Sequence, residues 1–343
     1  MIRILSLVVM GLPLSATGTR AADPPSTAKI DVFAINKALG RGMNFGNALE
    51  SPREGDWGLK IQADYFPLLK KAGFATIRVP VKWSAHAAKE SPYTIDPTFF
   101  ERIDWVLDQA AANSLNVVLN VHHYDEMDND PDHHLTRLVA IWRQIAARYK
   151  DRPRSVVFEM LNEPHNKLID NKWNEAIPPV LQAIRATNPT RPVIVGPAFW
   201  NAIWALPKLK LPNDSNLILT VHYYDPFKFT HQGATWASKE VRDLSGLKWT
   251  GSVAEKKELH DRFEQVSVWA RQHNRPVFLG EFGAYEKADL DSRARWTAAV
   301  AREAESRGWS WAYWEFAAGF GAYDRIHKSW REPLKNALIP PGK

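Results

Sequence analysis

Two apolar runs in this chain end in acids. Residues 155–164 read SVVFEMLNEP, and residues 276–283 read PVFLGEFG. Each run has the length of a buried strand, and a buried strand has no structural need to finish on Glu163 or Glu281. Two carboxylates flanking one bond are what glycoside hydrolysis requires: one protonates the leaving oxygen, and the other attacks the anomeric carbon or activates water. Their separation decides the stereochemistry, about 5–5.5 Å for retention and about 6.5–9.5 Å for inversion. The acid must keep its proton until substrate binds, and a nearby anionic carboxylate raises its pKa. The nucleophile must stay ionised and needs donors, for which Arg78 and Tyr224 are the candidates. Asn162, next to Glu163, is suited to hold a sugar 2-hydroxyl, a contact that tightens as the oxocarbenium ion forms. A single Glu at a strand end is ordinarily half of a loop ion pair. Two of them, each inside a polar constellation, argue for a site.

The histidines pose a second possibility, a metal-dependent hydrolase. There are 11, including HHY at 122–124, HH at 133–134 and HYY at 222–224. Neighbouring residues on a regular strand point to opposite faces, so His122 and His123 are not expected to share an ion, whereas His222 and Tyr224 share a face. The chain has no H-E-x-x-H segment. We therefore assign no metal and no cofactor, and read these histidines as neutral groups that bond sugar hydroxyls or orient a carboxylate. His86, His133, His134, His260, His273 and His327 read as satisfied residues at helix and loop ends. Glu159, four residues before Glu163, is expected on the same strand face, pointing inward. An unpaired buried charge is very costly, so Glu159 should pair, with Arg78 its expected partner; it is also the rival to Glu163 for the role of acid.

Something must hold these groups together. Apolar runs recur at 41–47, 75–81, 116–124, 155–164, 192–197, 216–224, 276–283 and 309–316, and helix-length amphipathic segments lie between most of them. That alternation means βαβ units and a parallel sheet. Eight strands with a helix each predict a closed (β/α)8 barrel, an α/β fold of one catalytic domain over residues 29–343. The alternative, an open doubly wound sheet, lacks a glycine-rich nucleotide fingerprint after any strand. Active sites of such barrels lie at the C-terminal ends of the strands. Asn44, Asn47, Arg78, His122, His123, Asn162, Glu163, His222, Tyr224, Glu281 and Trp314 all sit at such ends, so the barrel brings them to one face.

Composition narrows the setting. Fifteen Trp is far above ordinary usage, and flat indoles stack on the C–H faces of pyranoses as well as filling cores. With no Cys, thiol catalysis and thiolate metal sites are excluded. Arg3, the run ILSLVVMGLPL and the small residues before Asp23 describe a secretory signal peptide over residues 1–22, cleaved after Ala21 or Ala22, followed by a short leader at 23–28. Its removal takes two positive charges from a net +6, and the remainder form no Lys/Arg block that would suggest nucleic acid. A secreted, soluble monomer, periplasmic or extracellular and free of the membrane, is the expectation.

At these residues the chain resembles glycoside hydrolase family 5, retaining endo-β-1,4-glucanases and β-mannanases. GRGMNFGNALE, RVPVKW, NVHHY, LNEP, VHYYDPFKFTHQGATW, GEFG and AYWEF match in order from about residue 36 to 337. The long sixth- and seventh-strand segments resemble bacterial and thermophilic cellulases that often also cleave mannan. The resemblance implies Glu163 as acid/base and Glu281 as nucleophile, with Arg78 and Tyr224 supporting the latter. It implies that Asn162 and His122 contact the sugar in the reacting subsite, with His123 beside them, His222 near the acid/base and Trp314 as the floor. Asn47, Glu50 and Trp236 match positions that bind the glycone side of the chain. Family members need no cofactor. The implied substrate is a β-glucan. Mannan specificity, dual specificity and a non-catalytic polysaccharide-binding protein are the alternatives.

Overall fold

Eight parallel strands close on themselves in the computed structural model, which describes residues 31–342. They are β1 (Arg41–Asn44), β2 (Thr76–Val79), β3 (Asn116–Asn120), β4 (Val156–Glu159), β5 (Val193–Val195), β6 (Leu217–Tyr223), β7 (Val277–Phe282) and β8 (Ser310–Tyr313). Each pairs with the next, and β8 pairs with β1. This is the expected (β/α)8 barrel, with all eight strands in the expected runs. The expected helices are present too, as Pro97–Ala112, Pro131–Arg148, Val253–Gln272 and Leu290–Ser306. A two-stranded hairpin, β9 (Tyr323–Asp324) and β10 (Ser329–Trp330), follows β8 and was not expected. The expected signal peptide and leader lie outside the described residues. Among the described residues no helix is long and apolar enough to cross a membrane.

The strands alternate between an apolar outer face and an inner face that changes character with height. Ile77, Val117, Leu119, Val156, Phe158 and Leu279 pack outward beneath the helices. Inside, the lower layer is apolar: Val118, Val157, Ile194, Ile218, Phe278 and Ala312 meet Val32 and Leu39 of the helix Val32–Leu39, which plugs the bottom. One step up, two residues on, the same faces carry Asn120, Glu159 and Thr220, all fully buried. The interior therefore becomes polar toward the C-terminal ends, where the chemistry is expected.

Buried tryptophans hold those ends. Trp83 Nε1 donates to the Asn120 carbonyl, Trp142 Nε1 to that of Met160, and Trp173 Nε1 to that of Gly196, at 2.8–2.9 Å. These carbonyls lie at or just past the last residues of β3, β4 and β5, where ladder partners run out. An indole supplies both apolar bulk and the missing donor. Part of the tryptophan excess thus belongs to the scaffold.

Candidate active site

Arg78 is the centre of the mouth. It is fully buried, and its guanidinium donates to Glu159 Oε2 and Oε1 at 2.6 and 2.8 Å, Glu281 Oε1 at 2.7 Å, Asn162 Oδ1 at 2.7 Å and Asn44 Oδ1 at 2.8 Å. The expected Arg78–Glu159 pair is present. Its two-pronged geometry suits the planar guanidinium and leaves Glu159 no surface for substrate.

Glu281 reaches this network through an irregularity. Val221 pairs with Leu279 but His222 pairs with Glu281, so β7 carries one extra residue against β6. Such a bulge re-aims the next side chain. The extra residue must be glycine: a Cβ at Gly280 would lie 2.7 Å from Thr220 Oγ1 and 2.9 Å from His222 Nε2. Glu281 then accepts from Arg78 on Oε1 and from the Tyr224 hydroxyl on Oε2, at 2.8 Å. Burial and the neighbouring Glu163 push its pKa up on balance, while the Arg78 charge and the Tyr224 hydrogen bond pull it back toward the ionised form.

Glu163 arrives differently from expected. β4 ends at Glu159, and Glu163 lies beyond it with φ +46°, so the two acids do not share a regular strand face. The left-handed residue turns Glu163 back over the mouth. Its Oε1 lies 2.6 Å from His222 Nδ1. Its pKa is pushed up to about 7, chiefly by burial, with Glu159 adding to the rise and Arg78 and His165 opposing it. Desolvation, more than a neighbouring carboxylate, is thus what keeps this acid protonated near neutrality. Asn162 spends its oxygen on Arg78, which leaves its NH2 group to donate toward Glu163 and the cleft.

One ligand-type atom of each of Glu163, His222 and Glu281 lies within 4.8 Å of the others. Carboxylate oxygens this close agree with the short separation of retaining enzymes better than with the wider gap that must admit a water. The trio could be read as a cation site, but the Arg78 guanidinium 2.7 Å from Glu281 would oppose a second positive charge there.

The remaining candidates line the walls. β3 ends at Asn120, so His122 and His123 are not on a regular strand; His123 has φ +49° and the two rings meet edge to face at 4.5 Å. Asn120 fixes His122: its Oδ1 accepts from Val81 N and its Nδ2 donates to His122 Nδ1 at 3.1 Å, which leaves the His122 proton on Nε2. Trp314 lies nearly parallel to His122, centroids 5.8 Å apart. Trp236 is 61% exposed and stands edge-on to Tyr285. Asn47 sits in the turn after β1, half-buried, with φ +63°. Glu50 departs from expectation. It is fully buried and its carboxylate accepts from the backbone N–H groups of Asn47 and Ala48, so it shapes the loop that presents Asn47 rather than facing the cleft. Of the histidines expected to be structural, His86 stacks on Phe99, and His133, His134, His260, His273 and His327 all have side-chain or backbone partners.

Several residues of the mouth went unrecognised in the sequence. Trp57 and Trp200 are each about half exposed, Trp57 against His123 and Trp200 stacked on His165. His165 Nδ1 bonds the Glu163 carbonyl at 2.7 Å, and the His165 backbone N–H donates to Asp128 Oδ1 at 3.1 Å. Glu315, fully buried, accepts from the N–H groups of Ala317, Ala318 and Phe320 and so shapes the loop after Trp314. A tryptophan just past a strand end was the available signal for Trp200; Asp128 and Glu315 carried none.

The family model of cellulases, glycosyl hydrolase family 5, matches residues 37–319. Endoglucanase H of Acetivibrio thermocellus is 34% identical over 93% of this chain, which spans only about a third (35%) of that relative's length. The crystal structure of the endoglucanase Cel5A from Thermotoga maritima superposes with a TM-score of 0.88 at 49% identity, over 90% of this chain and 100% of that one. The same enzyme has also been solved in complex with cellobiose and with mannotriose.

Proposed function

This chain belongs to glycosyl hydrolase family 5, and from that premise we propose that it is a secreted endo-β-1,4-glucanase acting by double displacement with retention. The observation that supports this most is the asymmetric pair: Glu281 held by Arg78 and Tyr224, Glu163 buried beside His222, and less than 4.8 Å between them. In the first step Glu281 attacks the anomeric carbon while Glu163 protonates the departing oxygen; in the second Glu163 takes a proton from water, which cleaves the glycosyl ester. His122 and Asn162 bond the sugar in the reacting subsite over Trp314, His123 stands beside them, and Trp236 and Asn47 carry the chain beyond. The signal-peptide pattern at 1–22 supports export, and a monomer needs no partner to complete this site.

A dual glucanase and mannanase activity is the second reading, favoured by the mannotriose complex of the Thermotoga maritima relative at 49% identity. Reducing-sugar release from carboxymethyl cellulose, glucomannan and galactomannan, each with and without EDTA, tests both. Chelator-insensitive cleavage of the cellulose derivative is expected, and added galactomannan cleavage marks the dual cleft. Galactomannan activity alone overturns the glucanase reading; loss with EDTA overturns the metal-free mechanism; inactivity on all three leaves another β-glycan specificity or a binding protein.

A further inference from the structure

The turn after β5 is strained. Phe199, Trp200 and Asn201 have φ of +55°, +58° and +54°, three consecutive left-handed residues without a glycine. Each is unfavourable for a residue with a Cβ, and such strain persists where it positions something. Here it sends neighbouring side chains opposite ways. Trp200 goes outward, 52% exposed, while Asn201 goes inward, fully buried. Asn201 Nδ2 reaches His222 Nε2 at 3.2 Å, on the far side of the ring that bonds Glu163. Space for it is made by Gly196, where a Cβ would lie 2.5 Å from Asn201 Oδ1.

We infer that Asn201 is a positioning residue that fixes the tautomer of His222, and through it the oxygen of Glu163 that carries the catalytic proton. The inference rests on the proposed role of Glu163. Neutral His222 has one ring proton. An amide NH2 donating to Nε2 requires that proton to be on Nδ1, where it donates to Glu163 Oε1. The acid's own proton then belongs on Oε2, free to reach the leaving oxygen. After transfer, the same Nδ1–H stabilises the carboxylate, so both half-reactions run without a tautomer change. The reversed amide would put the ring proton on Nε2; Glu163 would then donate to Nδ1, and that bond would be lost when Glu163 ionises. Burial supports a neutral ring, pushing the His222 pKa down to about 4. His122 shows the same device with the opposite outcome, its Nδ1 taken by Asn120 and its proton left on Nε2. The arrangement is not cost-free: Asn201 Oδ1 is buried without a donor.

The test uses the whole protein with two variants, N201G, which keeps the left-handed backbone available, and N201D, which is nearly isosteric but offers Nε2 an acceptor. Nitrogen-15 NMR of the histidine-labelled protein reads the tautomer directly. The expected wild-type spectrum has His222 Nδ1 protonated and Nε2 bare; N201D moves the proton to Nε2. In kinetics, kcat/KM for phenyl β-cellobioside, whose departure needs the acid, falls about 10-fold in N201G and further in N201D. For 2,4-dinitrophenyl β-cellobioside, which needs little acid help, the loss is at most about three-fold. A wild-type Nε2–H tautomer overturns the inference. So does N201D more active than N201G, or equal losses on both substrates, since a packing role predicts those. A wild type inactive on both glycosides refutes the functional reading instead, and the tautomer measurement stands apart from it.

Discussion

Replacing Arg78 with alanine removes five hydrogen bonds from a side chain with no exposed surface. Glu159, also at 0% exposure, and Glu281 are then left as buried acids facing one space. Removing one partner of a buried ion pair costs about 3–5 kcal/mol. At about 2.1 cal/mol/K per residue over roughly 310 folded residues, Tm falls by about 5–8 °C. Function suffers separately. Without the guanidinium, burial raises the Glu281 pKa further, and the nucleophile loses a preorganised donor, a loss of about 10²–10³-fold in kcat. Calorimetry and kcat/KM on a cello-oligosaccharide across pH 5–8 read the two effects. A second variant separates them: Glu159→Ala added to Arg78→Ala removes the orphaned charge, so much of the Tm returns while activity stays lost. A single Arg78→Ala variant within about 1 °C and three-fold of wild type refutes the reasoning, because a fully buried arginine with five hydrogen bonds cannot be lost at so small an effect if those bonds matter.

Glu163, pushed up to about 7 by burial, must be protonated to act as acid, so kcat/KM for a poor leaving group falls as pH rises through about 7; Glu163→Gln abolishes that limb and spares kcat/KM for a dinitrophenyl glycoside, while kcat on it falls because the second step still needs the base. Burial also pushes Glu50 up to about 8, so the folded protein holds a proton that the unfolded chain releases near its ordinary value of 4.5. Stability therefore declines as pH rises between those values, and Glu50→Gln flattens the decline in a Tm-against-pH series. Trp236→Ala removes an exposed stacking surface and raises KM on a polymer roughly 2–10-fold with little change in kcat, the range expected for one aromatic contact.

Most of the barrel was legible because strand faces repeat with a period of two and active groups gather at strand ends. Glu163, Glu281 and Arg78 were picked out on that logic, and the fold brings all three to the mouth of the barrel. Where the logic failed, a local backbone feature intervened. Glu163 and His123 leave the strand through left-handed residues, and Glu281 faces the mouth only because Gly280 makes a bulge. None of these has a period to read. Glu50 was expected at the substrate because a carboxyl that caps two backbone N–H groups looks, in sequence, like one that faces the cleft. Asn201, Asp128 and Glu315 act by filling the hydrogen-bond needs of other residues, which exist only once the chain is folded. The tryptophans divided by burial: Trp83, Trp142 and Trp173 hold strand ends, while Trp57, Trp200 and Trp236 stay exposed around the mouth.

The central claim is that Glu281 forms a covalent bond to sugar while Glu163 manages the proton. Incubation with 2,4-dinitrophenyl 2-deoxy-2-fluoro-β-cellobioside, followed by peptide mass spectrometry, addresses it directly. The electronegative fluorine slows both steps, and the good leaving group restores the first, so a glycosyl ester accumulates. The account predicts one adduct, on the peptide containing Glu281, formed in Glu163→Gln as well and absent in Glu281→Gln. An adduct on Glu163 would reverse the roles. Turnover of the parent glycoside with no adduct on either acid would contradict the covalent mechanism.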